Sequence, residues 1–366
     1  MFPRQLSLAR RLPGISGGFS LVEIMVGMVI GMLGIIVMMQ IFALAEGQKR
    51  STTGGGDAQN TGAIALYGLQ RDIRQAGYGN SELRLIGCNL VLRTGITLTT
   101  MAPLTINHAA IPAGDANTDT LLVVYGNTNG TTQGDGITAA SATANTYPVQ
   151  TPTAYSANDY VIAMPQTRPT PCTLSLLQVA ASYVGAANNS NLTLASAVTS
   201  LPGGTLYNMG QSPKVLVYAI RNSNLTVCDY MVNDCSAAGN TGNTTIWVPI
   251  AGNIVSLRAQ YGHDNNTPMD AIVDLYDQVT PTTACGWVKT PAVRLALVAR
   301  SGLYEKTAVT SGAPTWLATT AGNPAGSAST PIVLSGAANW QNYRYKVFQT
   351  VVPIRNVAWL GAQSGC

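Results

Sequence analysis

The hydrophobic pattern of the chain begins with its longest feature, an uncharged run from Ile24 to Ala45 dominated by Met, Ile, Val, Leu, Gly and Ala. At 1.5 Å per residue, a helix over this run is about 33 Å long. That length matches the roughly 30 Å hydrocarbon core of a bilayer and exceeds the apolar region of an ordinary secretory signal. The run therefore predicts a transmembrane helix that continues as an amphipathic stem.

Three consecutive glycines at positions 54–56 predict a break in this helix. Arg71, Asp72 and Arg74 supply the polar side of the next stretch, which ends at Gly77. We interpret these charges as a solvated helix face whose pairing contributes about 0.2–0.5 kcal/mol. The apolar residues of the stretch recur at near-helical spacing and predict a second helical segment, at Ala63, Ile64, Leu66, Leu69 and Ile73.

From Cys88 onward the pattern changes to short apolar runs between clusters of Thr, Asn, Gly and Pro, which is typical of strands and turns. We therefore expect an α+β fold, in which a long N-terminal transmembrane and stem helix precedes a β-rich globular domain of antiparallel sheets. The candidate strands are 121–125, 160–164, 214–220, 246–250, 254–261, 292–299 and 343–352.

Charge is sparse along the chain, with 10% charged residues and a formal net charge of +4. Arg4, Arg10 and Arg11 precede the apolar run, and the first eighteen residues contain no acid. By the positive-inside rule these arginines place the N-terminus in the cytoplasm and the polar remainder outside. The rest of the chain is near neutral and has no basic stripe, so we expect no nucleic-acid partner.

All six cysteines lie beyond the apolar run, and an even number in an exported domain predicts up to three disulfides. Only Cys228 and Cys235 are close enough in sequence to be paired from spacing, and the remaining pairings stay open. There is no C-x-x-C motif, and His108 and His263 are the only histidines. A zinc site therefore has little support.

Glu23 stands at the start of the apolar run, where a carboxylate in lipid costs about 2.5–3.5 kcal/mol and usually has a functional partner. The sequence Gly18-Phe19-Ser20-Leu21-Val22-Glu23 resembles the type IV prepilin signature. The resemblance implies that a prepilin peptidase cuts after Gly18 and that Phe19 becomes the N-methylated N-terminus. Glu23 would then pair with the terminal ammonium of a neighbouring subunit, which favours correct register during assembly.

The alternative interpretation is an ordinary secretory signal cleaved after Ala43-Leu44-Ala45, with a mature start near Glu46. That interpretation gives Glu23 no role.

Segments at 57–79, 258–262 and 353–359 resemble PilW-type minor pilins, to which the J-type minor pseudopilins of type II secretion are related. The resemblance implies a prepilin leader at 1–18, a transmembrane and stem helix at 19–50 and a helical stem continuation at 51–79. Residues 80–366 would form a β-rich, pilin-like periplasmic domain.

The same resemblance implies a minor pilin that takes part in priming and assembly of the type IV pilus, at the fibre tip, and hence in twitching motility. Its partners would be the prepilin peptidase, other minor pilins, the major pilin and a PilY-type tip adhesin. It would sit in the inner membrane as a single-pass protein before it enters the pilus. The alternatives are a minor pseudopilin of type II secretion and an exported surface-binding domain that never enters a fibre.

No phosphate-binding loop, nucleophile elbow or paired histidine ligands occur, so we expect neither enzyme activity nor a cofactor. We assign no metal site from the sequence. The residues to test for calcium are Asp264, Asp270 and Asp274, although an EF-hand loop counted from Asp264 places Pro268 and Met269 at its fifth and sixth positions. Calcium bound there would raise the melting temperature.

Overall fold

The computed structural model describes residues 18–131, 133–138, 145–185, 190–196, 201, 203–320, 323–334, 338–363 and 366. The chain divides into two compact units, of which the first ends at Thr53 and the second is Gly54–Cys366. Except for Gly18, the leader predicted at 1–18 lies outside the described residues.

The long helix α1 runs from Leu21 to Gln75 without interruption. The expected break at positions 54–56 is therefore wrong. The first buried residues of its second part are small: Gly54, Ala58, Gly62 and Ala65. At Gly54 and Gly62, tertiary packing offsets the roughly 1 kcal/mol that a glycine costs in a helix. Gly62 shows why the residues are small: a Cβ there would lie 2.2 Å from the Phe348 ring.

Nineteen strands follow α1 in the described residues. In chain order, β1 to β19 are Asn89–Arg93, Ile96–Leu98, Leu104–Ile106, Leu121–Tyr125, Asp135–Gly136, Thr146–Pro148, Tyr160–Met164, Thr173–Gln178, Asn191–Thr193, Thr205–Gly210, Lys214–Arg221, Asn224–Asp229, Val248–Gly252, Ile254–His263, Leu275–Asp277, Ala292–Arg300, Thr315–Thr320, Asn323–Pro331 and Tyr345–Pro353. The short helices are α2 (Ala284–Val288) and α3 (Arg355–Ala358), with single 3-10 turns at Pro152–Ala154, Ala238–Asn240 and Trp340–Asn342.

The strands form three larger sheets and two strand pairs. The first sheet has the order β2-β1-β8-β7-β10-β5, the second β13-β12-β11-β4-β3, and the third β15-β14-β16-β19; the pairs are β17-β18 and β6-β9. The pairings are antiparallel except for β1 with β8, which is parallel. The predicted α+β fold with antiparallel sheets is confirmed.

Strand β4 shows how the layers are organised, because it is apolar throughout and buried on both faces. Leu121, Val123 and Tyr125 face a core that also contains the end of α1 and the third sheet. Leu122 and Val124 point to the opposite face, into a core shared with the first sheet. The second sheet is thus the central layer of the β-rich unit.

Three disulfides connect the described residues of this unit. Cys228 and Cys235 form the short bridge, as their spacing suggested. Cys88 bonds to Cys172, and Cys285 in α2 bonds to Cys366. The last two bridges join positions 84 and 81 residues apart, which spacing alone could not pair.

Candidate functional site

The start of α1 is held by local hydrogen bonds that involve the predicted assembly residue. The Ser20 backbone N–H donates to Glu23 Oε2 at 3.1 Å, and the Val22 N–H donates to Ser20 Oγ at 3.3 Å. The Glu23 contact is that of a helix capping box, and the Ser20 hydroxyl acts as an N-cap for the second N–H of the helix. The Glu23 carboxylate lies at the positive end of the helix dipole, where negative charge is favourable. Gly18 and Phe19 precede the helix, and Phe19 is 83% exposed.

Among the described residues, α1 is the helix long and apolar enough to cross a membrane, with a mean hydropathy of 2.5 over its most apolar stretch. The apolar side chains from Leu21 to Leu44 are all exposed in this structure. So large an apolar surface requires lipid or other helices to cover it.

Asp72 is the main correction to the sequence interpretation, because it is not on a solvated helix face. Its side chain is buried, with the residue only 3% exposed, on the same face of α1 as Leu69. Tyr125 Oη donates to Asp72 Oδ1 at 3.3 Å, and Tyr218 Oη donates to Asp72 Oδ2. Arg71 Nε donates to Oδ1 at 3.1 Å. One helical carboxylate therefore ties α1 to strands β4 and β11.

The two phenols act as stable donors to this carboxylate. Burial, followed by the negative charge of Asp72, raises the pKa of both Tyr125 and Tyr218 well above the ordinary value of 10.0. Both groups stay protonated at neutral pH and keep their hydrogen bonds. The arrangement stabilises the fold and offers no free acid or base for chemistry.

A second buried carboxylate, Asp119, was not singled out from the sequence. Its Oδ1 accepts from Asn107 Nδ2 at 2.9 Å, and its Oδ2 accepts from the Ala259 N–H at 2.9 Å and from Gln278 Nε2 at 2.8 Å. Arg258 lies 3.4 Å from the same oxygen. Asp119 therefore joins the loop before β4 to strand β14. The sequence gives no signal for it, since its partners are remote in the chain.

The calcium candidates form a closed loop held by its own backbone. Asp264 is buried, and its carboxylate accepts the N–H groups of Asn266, Asp270 and Ala271 at 2.7–2.9 Å. Asp274 accepts the Asn265 N–H at 2.8 Å, and Asp270 accepts from Ile272 N–H and Asn266 Nδ2. In the described part of the chain, no group of three His, Cys, Asp or Glu residues is placed to hold a metal ion.

We expect millimolar calcium to leave the melting temperature of the full chain unchanged, because a cation at Asp264 would have to displace three backbone donors. Thermal denaturation with calcium and with a chelator tests this. A rise in melting temperature with calcium that disappears in Asp264→Asn would contradict it and restore the calcium hypothesis.

Neither histidine pairs with a neighbour in the sequence to form a dyad. His263 Nε2 donates to Asp277 Oδ1 at 2.9 Å across the β14–β15 pair and does not contact Asp264 in this way. His108 is buried in the loop between β3 and β4, and its Nε2 donates to Thr99 O at 2.6 Å. Both imidazoles serve as local structural donors. The absence of enzyme activity stays a prediction.

Comparison with known proteins adds a family relation. Residues 217–356, less than half of the chain, match the family model described as type IV pilus-assembly protein W. No curated protein and no solved structure matches the chain. The matched residues run from β11 into α3 and include Tyr218, whereas the prepilin-like signature lies outside them. The match supports a PilW-type pilus protein with a role in type IV pilus assembly.

Proposed function

We propose that this protein is a PilW-type minor pilin that takes part in priming and assembly of the type IV pilus at the fibre tip. The family match to residues 217–356 carries the proposal. The helix at the other end of the chain supports it independently, since an acidic residue opens the apolar first part of a 55-residue helix. A pilin of this type is expected to have both features, a prepilin-like start and a β-rich region that matches the family.

In the proposed mechanism, the chain enters the inner membrane with its N-terminus in the cytoplasm. The prepilin peptidase removes the residues up to Gly18, and Phe19 is methylated. The new ammonium then pairs with the Glu23 carboxylate of a neighbouring subunit. Each partner lowers the cost of burying the other's charge, so mismatched registers are disfavoured.

The size of the second unit, Gly54–Cys366, supports a tip position. A bulky β-rich unit is harder to repeat along a thin shaft than to place once at an end. In the periplasm this unit would contact sister minor pilins, the major pilin and a PilY-type tip adhesin. Loss of fibres and twitching on deletion is expected from this role, whereas loss of exported enzymes would indicate type II secretion.

The N-terminal mass of the protein, purified from membranes and from sheared fibres, tests the proposal. We expect a chain that begins with N-methylated Phe19. Gly18→Val is the matched control, since it should keep the leader and remain in the membrane. A mature start at Glu46 would contradict the proposal and indicate an ordinary exported domain.

A further inference from the structure

The end of α1 borders a cavity of about 390 Å³ beside an unusually exposed tryptophan. Trp359 is 77% exposed, whereas Trp247, Trp287 and Trp316 are buried in the cores. We call this surface the Trp359 cleft. It is lined by Arg74, Gln75, Tyr78, Gly126, Asn127, Arg355, Asn356 and Trp359.

The walls of the Trp359 cleft are fixed by hydrogen bonds. Asn356 Nδ2 donates to the carbonyl oxygens of Gln75 and Ala76 at 3.1 and 3.0 Å, which holds α3 against the end of α1. Tyr78 Oη donates to Thr128 O at 3.0 Å, and the Gly126 N–H donates to Tyr78 O at 2.7 Å. The backbone that carries Trp359 is therefore held in place by these hydrogen bonds.

The charge of the cleft is positive and uncompensated. In the described part of the chain, neither Arg74 nor Arg355 takes part in any of the ion pairs or side-chain hydrogen bonds. The lining residues, all of them described, include no carboxylate. The carbonyls of Gln75 and Ala76 are already occupied by Asn356, so the guanidinium groups set the charge of the cleft.

Trp, Tyr and Arg are the residue types that most often dominate binding energy at protein interfaces. Here all three residue types line one cavity. The exposed apolar surface of Trp359 is unfavourable in water, and burying it against a partner would contribute favourable free energy to binding. Two free guanidinium groups favour bidentate pairing with carboxylates. The exposed tryptophan and the two guanidinium groups therefore favour a ligand that has both an apolar side chain and carboxylates.

We propose that the Trp359 cleft binds an acidic segment of a partner protein, in which carboxylates flank an apolar or aromatic side chain. The apolar side chain fills the cavity against Trp359 and Tyr78. The carboxylates pair with Arg74 and Arg355. This surface is remote in sequence from Glu23, and the inference holds whichever assembly the protein joins.

The test uses the full chain in nanodiscs of neutral phosphatidylcholine and a displayed library of random short peptides. We expect the wild-type protein to enrich peptides that combine acidic residues with an apolar or aromatic one. Binding of the enriched peptides should weaken at least about tenfold with Trp359→Ala and with Arg74→Gln/Arg355→Gln. The matched control is Lys306→Gln/Lys346→Gln, which removes two exposed charges elsewhere and should leave binding unchanged.

The cleft residues that are changed are not packed in a core, so the melting temperatures of the variants should equal that of the wild type. If the double glutamine variant is unstable, Arg74→Lys/Arg355→Lys replaces it and should keep part of the binding. Enrichment of neutral or basic peptides, or none above empty nanodiscs, overturns the proposal. Trp359-dependent self-association without peptide binding also overturns it, because the occupant would then be a second copy.

Discussion

Replacing Asp72 with alanine is expected to lower the free energy of unfolding of the β-rich unit by about 3–5 kcal/mol. The carboxylate accepts hydrogen bonds from Tyr125, Tyr218 and Arg71. Its removal leaves two buried phenol groups without their acceptor, and each unsatisfied group costs about 1–3 kcal/mol. The gain in helix propensity from alanine is below about 0.7 kcal/mol and cannot offset this loss.

Urea denaturation of the full chain in detergent, with the disulfides intact, measures the effect through tryptophan fluorescence. Asp57→Ala is the matched control, because Asp57 lies on the same helix but is exposed, and its change should stay within about 0.5 kcal/mol. Tyr218→Phe and Tyr125→Phe each remove one donor and should cost less than Asp72→Ala. An Asp72→Ala variant as stable as Asp57→Ala would show that the buried cluster contributes nothing net.

The local features of the fold could be predicted from the sequence. The run from Ile24 to Ala45 lies within α1, and most of the apolar runs assigned to strands correspond to strands of the structure. The pairing of Cys228 with Cys235 could be predicted because the two are only seven positions apart. In each case the residues that determine the feature lie close together in the sequence.

Features that depend on contacts between remote elements could not be predicted. Asp72 has charged neighbours in the sequence, which suggests an exposed position. It is buried because Tyr125 and Tyr218, from remote strands, pack against it and donate hydrogen bonds to it. The helix continues through positions 54–56, where Gly54 is buried against the strand region: a Cβ on Gly54 would lie 3.2 Å from Ser301 Cβ. Propensity predicts a break there, and tertiary packing overrides it.

The run at 246–250 shows a smaller error of the same kind. The strand begins only at Val248, because the Trp247 N–H donates to Asn243 O at 2.8 Å in the turn before it. Trp247 is buried, and the Arg221 guanidinium lies 4.0 Å from its indole centre. Likewise, the exposure of Trp359 was not anticipated, since sequence alone does not distinguish a core tryptophan from one presented at a surface. The candidate binding surface therefore had to come from the structure.

Replacing Glu23 with glutamine is expected to reduce fibre assembly about a hundredfold while leaving leader cleavage and membrane insertion intact. In the proposed mechanism the change leaves a neighbour's ammonium without its partner in lipid. A charge there costs about 2.5–3.5 kcal/mol, and each 1.4 kcal/mol corresponds to a factor of ten. Counting surface fibres, together with the N-terminal mass and membrane level of the variant, measures the three steps separately.

The capping box makes glutamine the informative substitution, because it separates the two roles that the structure allows for Glu23. A glutamine side chain can still accept the Ser20 N–H, so the helix start is preserved and only the charge is lost. Ser20→Ala is the matched control: it removes the hydroxyl that caps Val22 and keeps the charge. If a capped helix start were all that assembly requires, Glu23→Gln would assemble normally, and Ser20→Ala, which loses the Ser20 Oγ cap, would not. If pairing with the ammonium is the function of Glu23, the two variants show the opposite result.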